Sequence, residues 1–236
     1  MKIKESVIDY RKLRPDNINS PQFSHLKLLL YWPIFGLLFW YAEKRMATDY
    51  YVMYHPLDSV IPFCEIFVIP YIFWFVFLIG IHRYTLLYDI DAFRKLMKYI
   101  MITYTTGLVI FYLFPTCQML RPEIMPRDNF LTRFMTEFYA FDTHTNVCPS
   151  LHVVGSMAVM FTAWNTKGLQ STGCKTVFGV TAFLISISTV FLKQHSVIDV
   201  AVGMIISLAA YLICFTDEKE KIREKTYIRS KKRKTA

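Results

Sequence analysis

The sequence predicts an all-α protein, a polytopic membrane helical bundle with six transmembrane helices. Two observations lead to this prediction. Apolar residues make up 54% of the 236 residues and are gathered into six blocks, most of them close to the ~20 residues that a helix needs to cross a hydrocarbon core of ~30 Å. Lysine and arginine are concentrated in alternate connections between these blocks, as the positive-inside rule expects of a polytopic membrane protein.

The apolar blocks are interpreted as spans in chain order. They cover residues 26–42, 60–81, 96–114, 151–164, 176–192 and 197–215. The fourth block is the shortest, so we expect it to recruit residues 147–150 or to begin below the membrane surface. A buried helix of a soluble protein would account for a single block, since apolar runs of ~10–14 residues are typical there. Six runs in one chain favour membrane spans.

The distribution of basic residues predicts the orientation of the bundle. Of the 27 lysines and arginines, 21 fall within residues 2–27, after the last block, and in the two connections at 83–98 and 167–175. Connections rich in lysine and arginine stay in the cytoplasm. We therefore expect an integral protein of the cell membrane with both termini cytoplasmic. The connections at 115–150 and 193–196 are then extracytoplasmic.

The chain divides into three predicted regions. Residues 1–25 form a polar cytoplasmic lead, in which Pro15 and Pro21 argue against one continuous helix. Residues 26–215 form the six-span membrane domain, and residues 216–236 form a basic cytoplasmic tail. The net charge of +9 would suit nucleic acid, but the tail directly follows the last span, where anionic lipid attracts basic residues. The expected partners are membrane lipids and no nucleic acid.

The long connection at 115–150 contains a predicted helix. Apolar residues recur at helical spacing between Phe130 and Tyr139, and Arg133 and Glu137 occupy the opposite face. This pattern is typical of a helix that lies in the membrane interface, where it would cover a site or admit lipid. A cap packed over the bundle is an equal alternative. The same connection holds two of the five cysteines, at 117 and 148, and the sequence leaves open whether they form a disulfide.

Residues that can carry chemistry converge on the predicted extracytoplasmic side. His195 and Asp199 are four residues apart at the start of the sixth block, so they share one helix face. A carboxylate there can hold one ring nitrogen and leave the other free, which prepares an imidazole to act as nucleophile or base. Ser150 and His152 follow Pro149 at the mouth of the fourth block, and the free N–H groups of a helix start bind anions.

Two cations complete this set. Arg121 lies in the long connection, and its planar guanidinium matches the geometry of phosphate oxygens. Lys193 is the only charged residue in its short connection and stands two residues before His195. Together with Ser150, these cations predict a phosphate-binding site beside the two histidines.

Three other interpretations stay open at this point. In the simplest interpretation, Asp199 only caps the sixth helix and His195 lies at the membrane interface. A transporter would use Glu65 and Asp199 along a path, because acidic groups inside membrane helices are usually functional. A membrane metallohydrolase would use five side chains of types that ligate metals: His144, His152, His195, Asp142 and Asp199.

The order of three motifs resembles the signature of the type-2 phosphatidic acid phosphatase superfamily. The motifs are Arg-Pro at 121–122, Pro-Ser-x-His at 149–152 and His-x-x-x-Asp at 195–199. The resemblance also covers the six-span layout. It implies that His195 attacks phosphorus, that Asp199 orients it, and that His152 protonates the leaving oxygen. It further implies that Arg121 and Ser150 hold the phosphate, and that no metal and no cofactor is needed.

The chain departs from this family pattern at three positions. The lysine expected seven residues before the first-motif arginine is Phe114, and the glycine of the second motif is Leu151. The arginine expected six residues before the third-motif histidine is Thr189. Two phosphate-binding cations are thus replaced by uncharged residues, and we expect Lys193 to take the place of one of them.

The resemblance implies a metal-independent phosphoric ester hydrolase. It would be a membrane lipid phosphatase that acts on a lipid phosphate at the extracytoplasmic face through a phosphohistidine intermediate. Residues 31–33, 57–63 and the Lys-Gln-His sequence at 193–195 resemble the branch near inositol phosphorylceramide and sphingomyelin synthases. The alternative function is therefore a phospho-head-group transferase of the sphingolipid-synthase type, which passes a head group between lipids by the same histidine chemistry.

Overall fold

A computed structural model of the chain describes residues 6–216 except 46 and 48. The predicted basic tail therefore lies outside the described residues, apart from its first residue. The α-helices are α1 (Tyr31–Lys44), α2 (Pro56–Val60), α3 (Val68–Tyr88), α4 (Ile90–Leu113), α5 (Phe130–Phe141), α6 (Leu151–Asn165), α7 (Thr172–Phe191) and α8 (Val197–Tyr211). The two short strands, β1 (Tyr51–Val52) and β2 (Thr116–Cys117), pair in parallel. Turns of 3-10 helix lie at Tyr10–Lys12, Pro15–Asn17, Ser24–Leu30, Glu65–Phe67 and Lys167–Leu169, and a π-helical turn at Leu212–Thr216 extends α8.

The predicted all-α class is confirmed, and four helical segments are long and apolar enough to cross a membrane. They are Glu65–Tyr88, Ile90–Leu113, Thr172–Phe191 and Val197–Thr216. The predicted first and fourth spans correspond to α1 and α6, which have 14 and 15 residues. At 1.5 Å per residue these helices measure only ~21–23 Å, which is less than the ~30 Å of a hydrocarbon core. By length and composition four helices qualify as spans, and the predicted six are not confirmed.

The short helix α6 is the centre of the bundle. It packs against α3, α4, α7 and α8, and most of its residues are buried. Gly155 allows a close approach, because a Cβ built there would lie 2.6 Å from the Tyr104 hydroxyl and 2.8 Å from the Trp74 Nε1. Small residues at such contacts let membrane helices pack tightly. Because four helices enclose α6, its first turn carries polar groups into the interior of the protein.

The N-terminal segment packs on the bundle in its described part. The Tyr10 hydroxyl donates a hydrogen bond to the Leu86 carbonyl at the end of α3, with 2.7 Å between the oxygens. Phe23 and His25 are each only 2% exposed. The sequence-based expectation rested on prolines and charges, whereas aromatic packing against the bundle determines the position of this segment.

The end of the bundle at which α3, α6 and α8 begin is called the site end here. The connection between α4 and α6 folds over it and contains the predicted helix, α5. One face of α5 buries Thr132 and Met135, while Phe130 and Phe141 are 81% and 85% exposed. α5 is therefore a cap on the bundle that also presents an apolar edge, so both alternatives considered from the sequence describe part of it.

The first turn of α8 is held by a loop from early in the chain. Asp58 of α2 is 1% exposed. Its carboxylate accepts hydrogen bonds from the Ser196 hydroxyl at 2.6 Å and from the Val197 N–H at 2.9 Å. A carboxylate at the start of a helix satisfies free N–H groups and interacts favourably with the helix dipole. These bonds fix the position of the turn that carries the third motif.

Candidate active site

A cavity of about 350 Å³ lies at the site end, between α1, α3, α5 and α6. Its volume is within the range of ~300–1,000 Å³ that is usual for ligand sites. His152 from the first turn of α6 and His195 from the turn before α8 both line it, and their ring centroids are 6.3 Å apart. The fold thus brings the histidines of the second and third motifs together in one cavity.

A tight turn between α7 and α8 positions His195. Lys193 has a left-handed φ of 53°, and the N–H groups of Gln194 and His195 both donate to the Thr189 carbonyl, at 2.9 and 3.1 Å. A left-handed residue just after a helix end reverses the chain direction, and glycine usually takes this place. The reversal leaves the His195 Nδ1 3.4 Å from the Asp199 Oδ2.

Asp199 is both a helix cap and the neighbour of His195. Its Oδ2 accepts the Ser196 N–H at 2.9 Å, its Oδ1 has no hydrogen-bond partner, and the residue is fully buried. The separation of 3.4 Å from the imidazole is longer than a normal hydrogen bond of ~2.7–3.2 Å, but catalytic hydrogen bonds often tighten only when substrate binds. Because Nδ1 faces the carboxylate, Nε2 is the nitrogen of His195 that is available to a substrate.

His152 is held by aromatic side chains of α3. Its ring stacks on Tyr71 with centroids 4.1 Å apart and lies 4.4 Å from the ring of Trp74. Its Nε2 is buried and has no hydrogen-bond partner. Leaving a buried polar atom unpaired costs ~1–3 kcal/mol, so this nitrogen is a strong candidate for contact with a bound ligand.

Ser150 lies next to the pair formed by the third motif but not on the cavity wall. It is fully buried at the N-cap of α6, and its N–H donates to the Asp199 carbonyl at 3.2 Å. Its hydroxyl has no hydrogen-bond partner. The structure therefore places a free hydroxyl near the predicted site, behind the residues that line the cavity.

Arg121 reaches the site indirectly. Its guanidinium donates to the backbone carbonyls of Tyr139, Asp142 and Thr143 at 2.8–3.1 Å and to the Gln194 side chain at 2.5 Å. Gln194 lines the cavity, whereas Arg121 does not. Arg121, which the sequence predicts to bind phosphate, thus lies next to the site. Most of its N–H donors hold the end of α5 in place.

The ammonium group of Lys193 is directed toward another loop. It donates to the carbonyls of Asp58 at 2.6 Å and Ile61 at 2.5 Å, and the residue is only 8% exposed. Lys193 does not line the cavity. The expectation that it replaces a missing phosphate-binding cation does not match this position, because its protons are bound to backbone oxygens of the α2 segment.

The polar end of the cavity is acidic. Asp142 and Glu43 line it, and Glu43 accepts a hydrogen bond from the Asn146 side chain at 2.8 Å. Burial raises the pKa of Asp142, while the neighbouring charges of His195 and Arg121 oppose that rise. Burial also lowers the pKa of Arg121. Among the residues that the structure describes, those lining the cavity include no lysine and no arginine.

The geometry bears on two questions that the sequence left open. Within residues 6–216, leaving aside 46 and 48, no three histidine, cysteine, aspartate or glutamate side chains are close enough to hold a metal ion. The metallohydrolase alternative is therefore not supported, because His144 does not join the two site histidines in a ligand set. Cys117 and Cys148 are both free thiols.

Glu65, the acidic residue of the transporter alternative, is an anchor for α5. It accepts hydrogen bonds from the Arg127 guanidinium at 2.9 Å and from the Asn129 side chain at 3.0 Å. Asn129 in turn caps the first turn of α5. These contacts account for the acidic side chain without a transport path that includes Asp199.

The sequence-based analysis missed two groups of site residues. Asp58 was seen only as part of a resembling segment, and no local pattern indicates that it binds the start of α8. The other group is one face of α1, where four residues at intervals of three and four positions line the cavity: Trp32, Phe35, Gly36 and Phe39. Their spacing places them on one face of a helix. In a wholly apolar span, however, this spacing does not distinguish residues that line a cavity from residues that pack in the core.

The fold and the cavity define a helical protein with candidate membrane spans and two histidines in one site, and comparison with known proteins gives the family. A family model described as PAP2 superfamily matches residues 95–223, more than half of the 236 residues. The chain belongs to the PAP2 superfamily, whose members are phosphatases or phosphotransferases that act on phosphate esters. No curated protein and no solved structure matches the chain. The matched region contains all three motifs, whereas α1 to α3 lie outside it.

Proposed function

We propose that the protein is a membrane lipid phosphatase that works through a phosphohistidine intermediate. One observation supports this most directly: His195, with a buried carboxylate behind its Nδ1, shares a cavity with His152, whose ring is 6.3 Å away. A nucleophile oriented by a third group and an acid on the other side of the substrate form a common arrangement for covalent catalysis. The apolar cavity wall is suited to a lipid.

The two half-reactions follow from this arrangement. Nε2 of His195 attacks phosphorus, the bond from phosphorus to the ester oxygen breaks, and His152 gives its proton to the departing alkoxide. Water then attacks the phosphohistidine, its proton passes to His152, and phosphate leaves with His195 restored. Asp199 stabilises the positive charge that the ring of His195 carries in the intermediate. No metal or cofactor takes part in this scheme.

The proposed location is the extracytoplasmic face of the cell membrane, with both termini cytoplasmic. The asymmetry of basic residues in the sequence supports this orientation. Arg121 and Ser150 are retained in the proposal as groups near the phosphate, since the Arg121 Nε and the Ser150 hydroxyl are polar groups without a hydrogen-bond partner. Lys193 is retained as a positioning residue of the His195 turn.

The test is to trap the intermediate. Purified protein is mixed with a lipid phosphate labelled on phosphorus, quenched, and assayed for acid-labile phosphate on the chain. His195→Ala is expected to abolish both the label and turnover. His152→Ala is expected to lower kcat by about 10²–10⁴-fold and still to form the intermediate from an ester whose leaving group needs no proton.

Asp199→Asn should have an effect between those of the two histidine variants, because it preserves the shape of the side chain and removes its charge. It should retain some label and turn over slowly. If label persists in His195→Ala and disappears in His152→Ala, the roles of the two histidines are reversed. If wild-type protein turns over with no acid-labile label at any time, the covalent route is wrong.

A second candidate is a phospho-head-group transferase, favoured by the charges of the cavity. Asp142 and Glu43 line it and no described lysine or arginine does, so a dianionic phosphomonoester finds little compensating charge. A phosphodiester carries one negative charge only. Two parallel incubations separate the candidates. With a head-group-labelled phospholipid and a lipid alcohol, a transferase makes a new labelled lipid. With a lipid phosphomonoester labelled on phosphorus, a phosphatase releases labelled inorganic phosphate.

A further inference from the structure

The cavity has two chemically different ends joined by the histidines. At one end are polar side chains from the end of α1 and from the connection before α6, including Glu43, Asp142 and Asn146. At the other end the lining is aromatic. Gln194, the residue before His195, donates to the Asp142 carboxylate at 3.2 Å, and the His152 ring lies 4.4 Å from the ring of Trp74, so the reacting phosphate would lie between the two ends.

The aromatic end is built on one face of α1. Trp32, Phe35, Gly36 and Phe39 line it over a stretch of eight residues, or ~10 Å of helix. Phe35 packs on the ring of Tyr104 with centroids 5.0 Å apart. Gly36 interrupts this row of rings, since a Cβ built there would meet nothing within 4 Å. The open space beside Gly36 is therefore a gap in an otherwise aromatic wall.

This gap faces the outside of the bundle. Gly36 is exposed, and Phe75 of α3, which also lines the aromatic end, is 47% exposed. α1 packs mainly on α4, and α3 packs on α4, α6 and α7. Farther from the site end the gap is closed, because the Trp32 Nε1 of α1 donates to the His82 Nε2 of α3 at 3.3 Å.

We propose that the gap beside Gly36, between α1 and α3, is a lateral portal that holds the apolar chain of the leaving lipid alcohol. His152, the proposed acid for that alcohol, stands at the aromatic end, so the departing oxygen and its chain lie on this side of the phosphate. The chain passes between Gly36 and Phe75 into the bilayer, while the polar end stays open to water. The inference rests on the proposed function, but its residues lie outside the part of the chain that matches the family.

The first test uses a bulky side chain to close the portal. Gly36→Phe is compared with Gly80→Phe, because Gly80 of α3 is also exposed with nothing within 4 Å of a built Cβ and does not line the cavity. Each variant is assayed with a long-chain alkyl phosphate in lipid vesicles and with a short, water-soluble alkyl phosphate. Gly36→Phe should lower kcat/KM for the long chain by about tenfold or more, as expected for a blocked apolar pocket, and this loss should be several times larger than its loss with the short ester. Gly80→Phe should change neither.

Three results would overturn the portal. The first is equal loss with long and short esters in Gly36→Phe, the second is equal effects of the two phenylalanine variants, and the third is full activity of Gly36→Phe with both esters. Activity with the short ester reports that the variant is folded. Gly36→Leu provides a smaller obstruction, and its loss on the long chain should fall between those of wild type and Gly36→Phe.

A second measurement separates this inference from the proposed chemistry. His195→Ala protein is irradiated with an alkyl phosphate that carries a diazirine in its chain, and labelled peptides are identified. Label is expected within residues 32–39 and 74–75, and it should be lost when Gly36→Phe is added and kept when Gly80→Phe is added. The portal is contradicted if the label lies outside these segments, or if Gly36→Phe does not reduce it. This holds even if phosphohistidine forms in the wild-type protein. Correct labelling without any phosphohistidine in wild type contradicts the chemistry and leaves the portal in place.

Discussion

Lys193 shows that the position of a side chain, rather than its charge, determines what the residue can do. Its backbone adopts a left-handed conformation that costs a non-glycine residue of order 1–3 kcal/mol. Its ammonium group is buried against two carbonyls of the α2 segment. These bonds hold the left-handed turn that presents His195, so Lys193 positions the proposed nucleophile without lining the cavity.

We expect Lys193→Ala to destabilise the protein. Two buried carbonyls would lose their donor, at about 1–3 kcal/mol for each group left unsatisfied. Thermal unfolding in detergent should show a lower midpoint, and kcat should fall while inhibition by inorganic phosphate stays unchanged. Lys167→Ala removes an exposed lysine from a short turn and serves as the control with little effect. Weaker phosphate inhibition at an unchanged unfolding midpoint would instead make Lys193 a phosphate ligand.

At the scale of elements, α5 is held at both ends by polar contacts. At its start, Asn129 caps two N–H groups of the helix and donates to Glu65. Near its end, the Tyr139 hydroxyl donates to the Leu192 carbonyl at 2.5 Å, just before the turn that carries His195. α5 thus links the surface of the site end directly to the turn that carries His195, while Phe130 and Phe141 are exposed.

Loss of the cap should loosen this helix. Asn129→Ala removes an N-cap, which costs about 1 kcal/mol, together with the contact to Glu65. Hydrogen exchange followed by mass spectrometry should then be faster in residues 130–141. Asn165→Ala is the control, because Asn165 bonds only the Phe161 carbonyl of its own helix. Equal exchange in residues 130–141 of both variants would show that packing of Met135, rather than the cap, holds α5.

For the whole molecule, orientation is the property on which the proposed location depends. The helix α6 lies between the connection that contains Glu123 and the turn that contains Gln170, and both residues are exposed. If α6 runs across the membrane, these two positions are on opposite sides. This matters because α6 is short, with 15 residues, and is enclosed by other helices rather than by lipid.

Single cysteines at these positions test the orientation. Glu123→Cys and Gln170→Cys are placed separately in a chain whose five native cysteines are replaced by serine. In intact cells a membrane-impermeant thiol reagent should label the first variant only, and after the cells are opened it should label both. Labelling of Gln170→Cys alone in intact cells would invert the bundle, and equal labelling of both would mean that α6 does not separate two compartments.

The sequence by itself determined the helical class, the approximate positions of the long helices, and the identity of both histidines and Asp199. Each of these depends on local information. Apolar block length predicts a helix that can lie in a membrane, and a separation of four residues places His195 and Asp199 on one helix face. The helical pattern of residues 130–139 likewise predicted α5, which forms at Phe130–Phe141.

Only the tertiary structure decided what surrounds those residues. Asp58 bonds Ser196 across 138 positions of sequence, and Lys193 reaches the same loop. Such contacts depend on how the helices pack, because a buried charge must be paired with a partner that the fold brings close to it. The sequence pattern around Asp58 or Lys193 does not indicate which residue that partner is. The gap at Gly36 has the same origin, because an absent side chain becomes an opening only when neighbouring helices leave the space unfilled.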